Sequence, residues 1–543
     1  MKRRRFLKGI GLALSALTVQ CCAASSGEVI SDTRSPNVLC SEKDGTDKNR
    51  ETISPNIIIL LTDDLGWGDL GCYGNPIIKT PNLDGLADSG MRLTQFHSAG
   101  AICSPSRASL LTGKSTYRLG FYKLAGGKIR LEPKEITIPE LLKQKQYATF
   151  FAGKWHMSNL KAGNTPDVHG FDYYLTGGLG RSGKTATTKN PTFVRNGEPV
   201  EKTEGYSCDL IVDEAINWIG NTTNSKQPFF MEICFREPHT PVTPPEEYAK
   251  RYEGKEVDRL AKTLGYGGIS RWNGKYKGYV NESNFSQKKY YYGIVEQMDA
   301  AVGNLIKYLK RSGLFENTIV IFTSDNGPEY PGLGYGLDPT RNRCWGSPGP
   351  YRGVKRRIYE GGTTVPGIIC WPDTIKPGQI CETPTSSVDL LSTLCKVAGV
   401  NVPHQTELDG TDISLLFENP KGIIHRDVPL YWNTTHWGIP NMSMKYDGFT
   451  IVASFTLPSN PDAGCVAWIK EAKLHHFEVY NIQSDIKQQH DLYPGNEEKY
   501  QYLVQKMVAL WERVQKESPE WPGFRPWKRL KHLKKTGYDV HNF

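Results

Sequence analysis

Asp63 and Asp64 are adjacent acids that follow an apolar run, Asn56 to Leu61, and Asp325-Asn326 follows another, Thr318 to Thr323. Two carboxylates at the end of a buried strand are costly unless a cation holds them. The four side chains offer only oxygen donors, the set that suits a hard cation, Ca2+ or Mg2+, better than zinc. A second feature is Cys103-Ser104-Pro105-Ser106-Arg107, continued by Leu111-Thr112-Gly113-Lys114. Pro105 fits the first turn of a helix and Gly113 is a stop signal, so Cys103 falls at or near a helix N-terminus. Unpaired N–H groups and the positive dipole end favour an anion there. Arg107, four residues on, shares a helix face with Cys103 and adds a fixed positive charge. Gly153-Lys154-Trp155-His156, Pro238-His239 and Lys355 supply two more lysines and two histidines. If three carboxylates offset a divalent cation, Arg107, Lys154, Lys355 and the helix end leave a pocket that attracts a tetrahedral oxyanion ester. Phosphate and sulfate both meet that charge requirement. Singly, each feature has a plainer reading: a buried structural cysteine, a solvated Asp-Asp turn, a surface lysine at 355.

The shared placement of these motifs is more telling. Four apolar strands are expected, at 56–61, 148–152, 228–235 and 318–323, and each carries a polar motif just past its C-terminal end. In open α/β sheets, sites form at that edge. A helix over about 290–309 puts Ile294, Met298, Ala301, Leu305 and Tyr308 on one stripe. Alternating strands and helices predict an α/β fold, a mostly parallel sheet covered by helices on both faces. Two polar stretches, Lys161 to Glu204 and Gly254 to Gln287, read as long loops suited to substrate selection. From about residue 425 the pattern changes to short alternating segments, such as Gly448 to Phe455 and Phe477 to Asn481, and then a helix from Glu497 to Gln515. The expected division is an export signal at 1–25, a flexible linker at 26–53, a catalytic domain at 54–424 and a smaller α+β C-terminal subdomain at 425–543 with a basic tail.

The chain has 543 residues, 38% of them hydrophobic, and a net charge of +9. That length allows one large domain and a smaller one, and the charge suits an acidic substrate. No nucleic-acid-binding motif is visible. Met1 to Lys8 is strongly basic and Ile10 to Val19 is apolar but too short to span a bilayer. This reads as an export signal, and Arg3-Arg4-x-Phe6-Leu7-Lys8 resembles the bacterial twin-arginine type, which implies the periplasm or cell surface. Cys21 and Cys22 are candidates for a lipid anchor, although Thr18-Val19-Gln20 makes a poor lipoprotein box. The 12 cysteines include no Cys-x-x-Cys pair, which argues against zinc and iron–sulfur sites.

Cys103-x-Pro105-x-Arg107 with Leu111 to Lys114 resembles the signature of the type I sulfatases, the formylglycine-dependent, arylsulfatase-like branch of the alkaline-phosphatase superfamily. Asp63-Asp64, Gly153 to His156, Pro238-His239, Asp325-Asn326-Gly327-Pro328 and Lys355 with Glu360-Gly361-Gly362 match that family's motifs in order, over roughly residues 54–500. The resemblance implies the alkaline-phosphatase-like fold. It also implies that a maturation enzyme oxidises Cys103 to formylglycine (3-oxoalanine). Asp63, Asp64, Asp325 and Asn326 would bind Ca2+ beside the modified Cys103, and Arg107 would orient the aldehyde hydrate. Lys154 and Lys355 would hold sulfate oxygens, His239 would protonate the departing alcohol and His156 would assist the hydrate. One hydroxyl of the hydrate would attack sulfur, and the second, deprotonated, would expel sulfate by C–O cleavage and restore the aldehyde. The implied function is hydrolysis of a sulfate monoester, on a sulfated poly- or oligosaccharide. The alternatives are a phosphate or phosphonate ester hydrolase on the same fold and a non-catalytic carbohydrate-binding homologue. Thr364, where many members carry Arg, and Met157-Ser158 depart from the pattern.

Overall fold

A strand with one wet face alternates polar and apolar residues, but all eight side chains of Asn56–Asp63 are buried. Such a strand must be covered on both sides. The structure is a computed structural model and describes residues 54–126, 129–158, 163–177, 187–222, 227–264, 286–329, 343–435, 442–456 and 464–520. The export signal and linker, Cys21 and Cys22, and the basic tail lie outside the described residues, as does the stretch from 265 to 285. No helix among the described residues is long and apolar enough to cross a membrane.

Ten strands form one sheet. In chain order they are β1 (Asn56–Asp63), β2 (Met91–Leu93), β4 (Ala148–Lys154), β5 (Tyr173–Gly177), β6 (Phe193–Arg195), β7 (Glu198–Pro199), β8 (Phe229–Pro238), β9 (Thr318–Ser324), β10 (Gly367–Cys370) and β11 (Gln379–Cys381); the short β3 (Phe96–His97) pairs outside it with β12 (Thr385–Ser386). The order across the sheet is β11-β2-β10-β9-β1-β8-β4-β5-β6-β7. The central run β9-β1-β8-β4-β5 is parallel throughout, while β10 runs antiparallel to β9. The period of two sorts β1 between two cores. Ile58 and Leu60 pack with the helices Pro81–Asp88, Ser207–Thr222 and Lys288–Arg311. Ile57, Ile59 and Leu61 pack with Cys103–Thr112, Ile138–Leu142 and Leu390–Val397. The expected stripe Ile294, Met298, Ala301 and Leu305 is fully buried on the first of these faces.

The stretch from Lys161 to Glu204 is not one long loop. It holds β5, which extends the parallel sheet beside β4, and the β6–β7 hairpin. The turn between β6 and β7 is Asn196-Gly197, with φ of 47° and 91°, the left-handed pair that two-residue hairpins favour. Polar Gly- and Lys-rich flanks mask these short strands by composition.

A second, antiparallel sheet of β13 (Leu430–Asn433), β14 (Met442–Tyr446), β15 (Phe449–Phe455) and β16 (Leu474–Asn481) follows. The helix Glu497–Glu517 buries Leu503, Met507 and Trp511 in its core, with Trp511 stacked on Phe455 at 4.4 Å between ring centres. A buried polar network ties this sheet to the short helix Glu360–Thr363 and to β3. Glu360 accepts from Thr450 Oγ1 at 2.7 Å and pairs with Lys445 Nζ at 2.9 Å. Thr364 Oγ1 donates to Glu360 at 3.1 Å and lies 3.3 Å from His97 Nδ1. Burial pushes the Glu360 carboxyl up, but Lys445, His97 and the Thr450 hydroxyl outweigh it and hold it at about 2. Folding therefore favours the ionised form. We expect its contribution, about 3 kcal/mol at neutral pH, to be complete above the ordinary carboxylate range and lost as pH falls through about 2. Denaturant titrations of wild type and Glu360→Gln across that window check it: the gap between the two should close on the acid side.

Gly153 fixes how β4 enters the site. Its φ is 104°, and a Cβ there would lie 1.9 Å from the Cys234 carbonyl oxygen on β8. Gly153→Ala must strain both backbones, and we expect a loss of about 2–4 kcal/mol in unfolding free energy.

Candidate active site

β9, β1, β8 and β4 are neighbours in that order, so their C-terminal ends form one ledge. Asp63 closes β1 and Asp64 follows; Asp325-Asn326 follows β9, His239 follows β8, and Lys154 closes β4 with His156 two residues on. The helix Cys103–Thr112 begins at Cys103 itself, after Ile102 in extended conformation, and ends at Gly113 with φ of 66°. All ten of its residues are buried, Arg107 included.

The ion pairs in this cluster run one to one. Arg107 donates from Nε to Asp325 Oδ2 at 2.7 Å and from Nη1 to the Lys154 carbonyl at 2.9 Å. Lys154 Nζ donates to Asp63 Oδ2, and Lys355 Nζ to Asp64 Oδ1. Asn326 Nδ2 donates to the same Asp64 oxygen at 2.7 Å. Lys355, which alone reads as a surface cation, is buried at 2% exposure. Its partner explains this: burial pushes the ammonium down, and Asp64 holds it well above its ordinary value. Burial likewise pushes the Asp63 carboxyl up, but His239, Lys154, Arg107 and Lys355 outweigh it and hold it low. At Asp325 burial prevails over Arg107, and the carboxyl is raised.

Three oxygens in this charged cluster have no hydrogen-bond partner: Asp63 Oδ1, Asp64 Oδ2 and Asn326 Oδ1, all buried. Single ligand atoms of Asp63, Cys103 and Asp325 lie within 4.8 Å of one another, and so do those of Asp63, Asp64 and His239. Buried carboxylate and amide oxygens with spare lone pairs fit a hard divalent cation. Asp64 and His156 adopt left-handed backbone conformations, with φ of 69° and 56°, strain that collects at functional sites.

The thiol of Cys103 is buried, and burial raises its pKa despite Lys154 and Lys355. It is thus no ready thiolate, unlike the nucleophile of a cysteine hydrolase. His156 is held neutral by burial and by Lys154, and its Nδ1 has no hydrogen-bond partner. His239 is more open, with its side chain 21% exposed. Its Nδ1 lies 2.6 Å from the Thr240 carbonyl and its Nε2 3.7 Å from Asp64 Oδ2. Burial draws its pKa down to about 4 against the pull of Asp63 and Asp64. The two departures from the family motifs have structural partners. Thr364 joins the Glu360 network, while Met157 is core and Ser158 accepts from Trp155 Nε1 at 3.0 Å.

All ten site residues expected from the sequence thus meet in one cluster. Two further groups were not anticipated. Arg236 lies at the end of β8, where burial works against its charge and prevails over the pull of Asp63, Glu237 and Asp64. Glu329, buried, pairs with Arg356 Nη2 at 2.7 Å beside Lys355. Arg236 had a signal: it is the lone cation in an apolar strand, three residues before His239.

The sulfatase family model matches residues 55–400. Steryl-sulfatase of Rattus norvegicus is 29% identical over 548 residues, which cover 87% of this chain and 90% of the relative. N-acetylgalactosamine-6-sulfatase of Mus musculus is 33% identical over 382 residues, 66% of this chain and 65% of the relative. A crystal structure of Ps i-CgsB in complex with k-i-k-neocarrahexaose superposes with a TM-score of 0.68 at 25% identity, covering 89% of this chain and 97% of that one. With a match over most of the larger sheet and a shared alkaline-phosphatase-like fold, this chain belongs to the sulfatase family and is an enzyme that hydrolyses sulfate esters.

Proposed function

We propose that the chain removes sulfate from a sulfated poly- or oligosaccharide, using formylglycine made from Cys103 by a maturation enzyme and a Ca2+ ion held by Asp63, Asp64, Asp325 and Asn326. The catalytic unit is 54–424, with 425–543 as its C-terminal subdomain, and the basic leader directs export. One observation carries the reading: the buried Cys103 thiol lies within 4.8 Å of carboxylate oxygens of Asp63 and Asp325, among three cations. An inert thiol needs no such surroundings, whereas a group that must meet a sulfate ester beside a cation does. The carbohydrate assignment draws on the relatives named for N-acetylgalactosamine-6-sulfatase and neocarrahexaose.

The hydrated aldehyde supplies a hydroxyl nucleophile with a second hydroxyl for sulfate release, and the cation supplies positive charge that lowers a hydroxyl pKa and polarises the ester. The remaining work falls to the chain's own side chains. Arg107 is fixed by Asp325 and the Lys154 carbonyl, so it presents its charge to position 103 at little ordering cost. Lys154 and Lys355 each hold a carboxylate, and once a cation shares those carboxylates their N–H groups can turn to the sulfate oxygens. His239 gives its Nδ1 proton to the Thr240 carbonyl, so it delivers a proton to the departing alcohol only as the imidazolium, whose second proton sits on Nε2 and which Asp63 and Asp64 favour against burial. The unpartnered Nδ1 of His156 can accept from a hydroxyl at position 103.

Mass spectrometry of the tryptic peptide Leu93–Arg107, from a host that matures sulfatases, tests the reading together with parallel assays on 4-nitrophenyl sulfate and 4-nitrophenyl phosphate. We expect an aldehyde at residue 103 and preference for the sulfate. An unmodified thiol in active enzyme, or preference for the phosphate, would overturn it.

A further inference from the structure

Arg236 belongs to none of the motifs above, yet it is wired to His239. Its Nη2 donates to the Thr240 carbonyl at 2.9 Å. The same oxygen lies 2.6 Å from His239 Nδ1. The backbone closes the turn, with the His239 N–H donating to the Arg236 carbonyl at 2.9 Å. A carbonyl oxygen has two lone pairs and can only accept. With Arg236 on one, the other takes the proton of His239 Nδ1. That assigns the proton to Nδ1 and leaves Nε2 as the nitrogen facing Asp64 Oδ2. The next residue is anchored too: Glu237 is buried and accepts from Ser207 Oγ.

Arg236 is an unusual choice for a structural tie. Its Nε is buried with no hydrogen-bond partner. The Thr240 carbonyl could be capped by a neutral donor at lower desolvation cost. A guanidinium brings a rigid planar fork and a permanent charge, so it both fixes the carbonyl's direction and stays engaged at every working pH. We propose that Arg236 is a positioning residue for His239: by clamping the Thr240 carbonyl, which takes the Nδ1 proton, it holds the ring so that Nε2, where the imidazolium carries its second proton, faces the reacting ester. This rests on the reading of His239 as the donor to the departing alcohol.

The test is a double-mutant cycle in matured, Ca2+-loaded full-length enzyme: Arg236→Met, His239→Ala and the two combined, with Arg236→Lys as the conservative variant. The substrates are 4-nitrophenyl sulfate and phenyl sulfate, whose leaving oxygen is more basic and depends more on a proton donor. We expect Arg236→Met to lower kcat about tenfold on phenyl sulfate and about threefold or less on 4-nitrophenyl sulfate, with KM within about twofold on both. Added to His239→Ala it should cost less than about twofold more, because the group it positions is gone. Arg236→Lys, which keeps a charged donor, should recover part of the loss. Additive losses in the double variant overturn the proposal whatever the substrate pattern. If His239→Ala itself affects both substrates equally, the proton-donor reading of His239 falls. The positioning claim is then decided by the cycle alone: coupled losses sustain it, additive ones overturn it. Should Arg236→Met not fold, Arg236→Gln keeps a donor for Thr240 without the charge and takes its place in the cycle.

Discussion

Cys103→Ala should lower kcat on 4-nitrophenyl sulfate about 10⁴-fold or more while moving the thermal midpoint by about 2 °C or less. The two numbers separate chemistry from folding. Removing one buried sulfur costs on the order of 1 kcal/mol of packing, and the helix Cys103–Thr112 keeps its Gly113 cap and its Arg107–Asp325 pair. None of the other site residues can replace position 103, because none of them, carboxylate, amide, cation or histidine, offers a hydroxyl or an aldehyde hydrate. Cys103→Ser gives a sharper outcome. A serine hydroxyl at that place can attack sulfur once, but its ester has no second hydroxyl on the same carbon. Release would need water to attack at sulfur, in a site whose residues are nearly all buried. We therefore expect a single stoichiometric burst of nitrophenol followed by arrest, with sulfate retained on the protein. Steady turnover by Cys103→Ser, or a loss under about tenfold in Cys103→Ala, would remove position 103 from the mechanism.

Why the site was legible follows from where its residues lie. Asp63, Lys154, His239 and Asp325 each stand at or within two residues of the end of a strand long and apolar enough to be read from sequence, and such strands must lie side by side in a parallel sheet. Chain order alone then brings them to one edge. Lys355 has no such strand before it. Its loop contains several cations, and only Asp64, nearly 300 residues away, distinguishes it from the rest. The same holds for the Glu360 network, whose members come from the antiparallel sheet, a short helix and β3. β5 was missed for a different reason: Tyr173–Gly177 is five residues between polar flanks, and its partner β4 decides its conformation more than its own composition does. Arg236 was passed over because a charge at a strand end usually reads as the start of a solvated loop. Its contact is with a backbone carbonyl, which sequence does not advertise.

The one-to-one pairing of Arg107, Lys154 and Lys355 with Asp325, Asp63 and Asp64 has a consequence for binding. A sulfate monoester, a monoanion, meets a pocket in which Arg107, Lys154 and Lys355 are each held by a carboxylate, and pairing of that kind leaves little positive charge for it. A divalent cation at the spare oxygens of Asp63, Asp64 and Asn326 changes the sum by two and loosens both lysines from their carboxylates. Exhaustive chelation should accordingly cut activity to about 1% or less, and Ca2+ should restore it more fully than Mg2+. The larger Ca2+ tolerates a crowded set of carboxylate oxygens, whereas Mg2+ demands a tight octahedron. Stability should follow the metal as well. At a hundredfold excess over its dissociation constant the ion adds about 2.7 kcal/mol, seen as a thermal midpoint that climbs with Ca2+ concentration. Asp64→Ala should abolish both responses and lower the starting midpoint, because it removes a ligand and strands the buried Lys355 ammonium without its partner, a loss of about 3–5 kcal/mol. Asp64→Asn separates the two effects: it keeps the shape and an acceptor for Lys355 while weakening the ion's hold, so the Ca2+-dependent rise should shrink with a smaller drop in the starting midpoint. Full activity after chelation, in protein shown by elemental analysis to carry no metal, would mean that the three cations suffice for the ester and that the acids serve only to hold them.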